Sequence, residues 1–73
     1  MTLNRRQQLS QAHSWLSEDD ISLMLVHNYQ KYSDEYEPNN VQPMMDNFTK
    51  IACRLPEQDL RDLLSRVQEF AVI

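Results

Sequence analysis

The sequence contains no glycine in 73 residues. Average usage of ~7% would supply about five. Glycine provides positive φ and close backbone approach to a ligand. Without it there is no P-loop, dinucleotide fingerprint, EF-hand loop or nucleophile elbow, since each is built on glycine. Cysteine is nearly absent too. The single Cys53 cannot form an internal disulfide, and no His/Cys/Asp/Glu spacing matches a metal template. No metal and no cofactor are therefore expected. A basic face is missing, because the formal charge is −4. Long apolar runs are missing as well; the longest is Leu23-Met24-Leu25-Val26, far short of a membrane span. The first eleven residues are polar, with no apolar signal-peptide region. A lone cysteine suits a reducing compartment, so a cytoplasmic location and no membrane association are expected.

What is present is helical periodicity throughout, with no strand signal. The spacing predicts an all-α chain of four short helices over about 4–16, 18–35, 41–54 and 56–70, forming one domain over 1–73. In the first, Asn4 is placed as N-cap with Gln7 as its capping-box partner, above a thin stripe of Leu9, Ala12 and Leu16. The second has the clearest start. Ser17 caps it, Asp20 stands at N3, and Glu18, Asp19 and Asp20 lie where the helix dipole favours acids. Ile21, Leu25, Tyr29, Tyr32 and Tyr36 are expected to share its apolar face, with Met24 beside it and Asn28 as a buried polar group. Pro38-Asn39-Asn40 is expected to turn the chain, with Asn40 capping the third helix and Pro43 in its first turn. The third helix carries the stripe Val41, Met44, Met45, Phe48, Ile51, Ala52 and Leu55. Pro56 takes the first position of the fourth, whose stripe is Leu60, Leu63, Leu64, Val67, Phe70 and Ala71. Val72 and Ile73 form an apolar tail. The joint at Pro56 is short enough to make helices three and four a tight pair, either an antiparallel hairpin or two arms at a steep angle. A chain of this length makes a marginal core, which points to completion by dimerisation.

Charge is uneven along the chain. Residues 1–16 hold Arg5 and Arg6 and no acid. Residues 17–37 hold six acids against Lys31. Phosphate contacts need a basic face, so direct nucleic-acid binding is not expected. A helix-turn-helix is excluded as well: the turn has Pro in place of Gly, and Glu57 and Asp59 would open the recognition helix against phosphates. No nucleophile, base and orienting group stand together, with His13 and His27 on different helices, and no enzyme activity is expected.

Two surfaces carry the functional expectation. Tyr29, Tyr32 and Tyr36 interleave with Asp34, Glu35 and Glu37 at the end of the second helix. A helix C-terminus disfavours acids, so this clustering runs against local preference, and such conflicts tend to mark functional sites. Tyrosine is also enriched at interface hot spots. The stretch reads as an acidic aromatic surface for a partner protein with a basic surface. Leu23 and Val26, with Trp15, form a second apolar patch suited to a homodimer or another interface. The expected function is a small acidic interaction module: a regulator, inhibitor or adaptor that binds another protein. Its size and acidity suit the small inhibitors that phages and plasmids aim at host machinery, an analogy of composition alone. The alternative is a nucleic-acid mimic, in which Glu18, Asp19, Asp20, Asp34, Glu35 and Glu37 imitate phosphates and fill a basic site of the partner.

Overall fold

A computed structural model describes residues 2–71, and these form four helices: α1 (Arg5–Ala12), α2 (Glu18–Glu35), α3 (Pro38–Arg54) and α4 (Glu57–Ala71). No strand occurs among them. Two of the expected starts are built as expected. The Asn4 side chain accepts from Gln7 N–H at 2.8 Å while the Gln7 side chain accepts from Asn4 N–H at 3.0 Å. Ser17 Oγ accepts from Asp20 N–H at 3.1 Å.

Other boundaries differ from expectation. α1 stops at Ala12 rather than running to residue 16, and Ala12 is exposed. His13 leaves helical geometry, and its ring Nε2 lies 2.8 Å from the Ala52 carbonyl oxygen of α3. A carbonyl only accepts, so Nε2–H is the donor. This long-range bond and the burial of His13 and Leu16 outweigh four further residues of helix. α3 begins at Pro38, three residues before the expected start, with Glu37 as N-cap and no side-chain cap bond. Proline's fixed φ and absent N–H suit a first helical position, so Asn39 and Asn40 become helix instead of turn. Pro43 then falls in the second turn, where its missing N–H leaves the Asn39 carbonyl without a ladder donor. Pro56 stands just outside α4, its carbonyl accepting from Leu60 N–H at 3.1 Å.

The expected apolar face of α2 is also rotated. Ile21, Met24 and Asn28 are its buried residues, whereas Tyr29 and Tyr36 are exposed. Adjacent helical residues point ~100° apart, so the inward face has turned from the Leu25 side to the Met24 side. One core unites Leu9, Leu16, Ile21, Met24, Ala52, Leu60, Leu64 and Val67. Val41 and Met45 of α3 are buried too, near Asn28 and Thr49 in burial but outside that cluster. Asn28 Nδ2 donates to Met24 O at 2.9 Å and Thr49 Oγ1 to Met45 O at 2.9 Å, so each buried polar side chain bonds its own helix one turn back. Phe70 and Ile51, expected inside, are exposed.

α2 is central: it packs on α1, α3 and α4, and α3 also packs on α1. The expected tight pairing of α3 with α4 is not seen among the described residues. The 13–17 connection links them instead. His13 bonds α3, and Trp15 lies under the Arg61 guanidinium of α4 at 4.1 Å. The result is flat, with extents of 38 × 33 × 18 Å. It exposes 5365 Å², against roughly 4,700 Å² for a compact monomer of this mass.

Candidate protein-binding surface

α2 must bury one face against three neighbours, which leaves a second set of apolar side chains outside. Leu23, Val26, His27, Gln30 and Asp34 recur at helical spacing on that outer side. Beside them α4 presents Val67 and Phe70. Together they line an open trough of about 420 Å³ between α2 and α4. Its apolar part is Leu23, Val26, Val67 and Phe70. Its polar end is Gln30, Lys31, Asp34 and Glu35. Val26 is 53% exposed and Phe70 70%. The Phe70 ring rests on His27 at 5.7 Å between centroids, tilted by 32°. His27 Nδ1 is buried there without a hydrogen-bond partner.

A second concavity of about 570 Å³ lies on the other flank of α2, between α1 and α3. It is lined by Leu25, Tyr29 and Met45 with Asn4, Arg5 and Arg6. Val26 and Gln30 border both concavities, so the outer edge of α2 is a ridge with a hollow on each side. Arg5 is engaged within the fold. It meets Asp46 at 2.9 Å and the Gln42 side chain at 2.6 Å, tying α1 to α3.

The expected tyrosine-acid surface is divided by the helix. Tyr29 and Tyr36 border a smaller hollow with Pro38 and Val41, while Asp34 and Glu35 face the α4 trough. Tyr32 is half-buried and meets Tyr36 edge to face at 5.9 Å. Burial first, then the neighbouring Tyr36 and Glu35, raise the Tyr32 phenol above its usual value of 10.0. Glu37 is the N-cap of α3. The acids that crowd the end of α2 therefore also stand before the positive end of α3, which offsets part of the unfavourable dipole.

The second expected patch is divided as well. Leu23 and Val26 do lie together in the trough, but Trp15 is not part of it. Trp15 is held by Arg61 and by His13, whose ring meets it edge to face at 6.0 Å. Phe70 and His27 are the residues that sequence reasoning missed. The spacing of His27 with Leu23, Val26 and Gln30 carried the signal for a second stripe on α2. Nothing local distinguishes Phe70 from the buried Val67 one turn before it.

No group of three His, Cys, Asp or Glu that could hold a metal occurs among the described residues. No described helix is long and apolar enough to cross a membrane. Burial raises the Cys53 thiol above its usual range, which opposes formation of a reactive thiolate. The chain matches no family model, no curated protein and no solved structure.

Proposed function

We propose that this protein works by binding another protein, as a regulator, inhibitor or adaptor without catalytic chemistry of its own. The observation that carries this reading is the outer ridge of α2. Val26 is half-exposed at its crest, with the exposed Phe70 on one flank and the exposed Tyr29 on the other. Large apolar side chains gathered beside hollows are the usual form of an interaction surface. The flat shape adds to this, since surface beyond that of a compact monomer is available for association. The partner suited to the chain's acidity is one with a basic surface.

Two competing uses of α2 give different outcomes. In a homodimer, the ridge would meet its own copy. In a nucleic-acid mimic, the acids of α2 would lead and the apolar ridge would be incidental. Support for the mimic is weak in the geometry. Asp19 and Asp34 stand about 22 Å apart along the helix axis, and Asp20 lies 3.4 Å from the Gln68 side chain of α4.

The test is site-specific photo-crosslinking in cells of the natural host, with the probe at Val26 or at the exposed Asn47 of α3. Capture of one protein through Val26 and not through Asn47 is the expected result. Equal capture at both positions, or none, defeats the reading. A dimer appears as self-crosslinks through Val26 and a doubled mass in sedimentation. A mimic releases its partner steeply as salt is raised, whereas a ridge-led complex persists.

A further inference from the structure

The occupant of the α2/α4 trough can be narrowed by its charge and shape, and the argument rests on the interaction reading above. A second copy of the chain fits poorly. α2 carries Glu18 and Asp19 at one end and Asp34 and Glu35 at the other, with Lys31 as its single cation. Two copies crossing on their α2 ridges bring acids against acids whether they run parallel or antiparallel. Like charges placed together across an interface cost affinity. An acidic partner meets the same obstacle.

The trough itself is asymmetric. Leu23, Val26, Val67 and Phe70 make its apolar part, and Asp34 and Glu35 stand at one end with Lys31, leaving that end net acidic. Neither acid makes an ion pair among the described residues. Both lie in the last turn of α2, where the helix dipole adds further negative potential. From Leu23 to Glu35 the trough follows α2 for about 18 Å, or roughly three helical turns. An open furrow of that length with an apolar floor suits the side chains of one helix laid along it.

We propose that the trough receives an amphipathic helix from the partner, with apolar anchors one turn apart against Leu23, Val26 and Phe70 and a lysine or arginine beside Asp34 and Glu35. Phe70, supported by His27, is the wall that closes over the anchors. The charged end sets the direction in which the helix lies.

A designed pair of peptides of about 18 residues, three turns of contact with a further turn at each end, tests this on the full-length protein. Both have leucines on one helical stripe. One has lysines on the flanking positions and the other glutamates at the same places. Amide chemical-shift titration reads both affinity and location. The lysine peptide is expected to saturate, shifting amides around Leu23, Val26 and Phe70, while the glutamate peptide does not bind. Phe70→Ser is expected to weaken the lysine peptide about tenfold, as for an interface anchor. The double variant Asp34→Asn/Glu35→Gln is expected to weaken it about fivefold at low salt and little at high salt. Phe70 and both acids are exposed, so all these variants keep the fold, which circular dichroism verifies. The proposal is overturned by equal binding of the two peptides, by shifts that map to the Tyr29 flank, by no saturable binding, or by self-association through Val26 in place of peptide binding. If the peptides fail while the Val26 probe still captures a host protein, the helix proposal falls and the interaction reading stands.

Discussion

Met24 and Val26 are two residues apart on α2 and have opposite surroundings. Met24 is fully buried in the core, and Val26 is half-exposed on a ridge between two hollows. Both are apolar and both sit in the same run of four apolar residues. One face of α2 holds the molecule together, through Ile21, Met24 and the self-satisfied Asn28. The other gathers Leu23, Val26 and the neighbouring Phe70 at the surface. A central helix in a flat four-helix molecule has neighbours enough for one face only. Leu23 still packs in part against the core, whereas the exposed Val26 and Phe70 contribute little to folding and are free to serve a partner.

The comparison can be broken by substitution. Met24→Ala is expected to cost about 2–5 kcal/mol, the range for emptying a packed core site, measured by urea denaturation. Capture through the Val26 probe should survive in whatever fraction stays folded. Val26→Asp is expected to do the reverse. Its stability should change by no more than about 0.5 kcal/mol, as at exposed sites, while partner capture falls about tenfold or more. A large loss of stability in Val26→Asp would show that the ridge belongs to the core and erase the distinction.

Ser17→Ala tests the start of α2, on which the placement of both faces depends. Loss of the bond to Asp20 N–H is expected to cost about 1 kcal/mol. An unchanged midpoint would mean that the acids of the first turn hold the helix end without the cap.

The smallest effect concerns Tyr32, between the two faces. Its phenol titrates above 10.0 in the folded protein, chiefly through burial. The folded state therefore favours the neutral phenol. That stabilisation is fully present below pH 10 and is lost as pH rises through the raised value. Thermal denaturation from pH 9 upward should show a falling alkaline limb that is shallower in Tyr32→Phe. An identical limb in the variant would assign the loss to other groups.

The helical class and the start of α2 were legible because their causes are local. The Asn4/Gln7 box and the Ser17 cap are bonds across three residues. The stripe of Leu60, Leu64 and Val67 is a plain helical period, and these three are buried. The candidate surface was legible in part. Leu23 and Val26 share a hollow as their spacing on α2 implies, but Trp15 belongs elsewhere. Trp15 lies apart because α1 stops at Ala12, and it stops where His13 bonds Ala52 thirty-nine residues later. The tyrosines and acids are neighbours in the chain, yet a helix sends Tyr29 and Asp34 to opposite flanks.

Composition, caps and periodicity alone were enough to make this chain four helices joined without glycine, with proline at two of the three joints. Those features act over one helical turn, so no other part of the molecule is needed to specify them. Tertiary structure decided which apolar residues those helices would spend on the core. Val67 and Phe70 differ by one turn on the same stripe, and one is buried against α2 while the other stands open beside His27. Hydrophobicity sets only that each would gain by leaving water. Which one does depends on where neighbouring helices run out, and that is a property of the assembled fold.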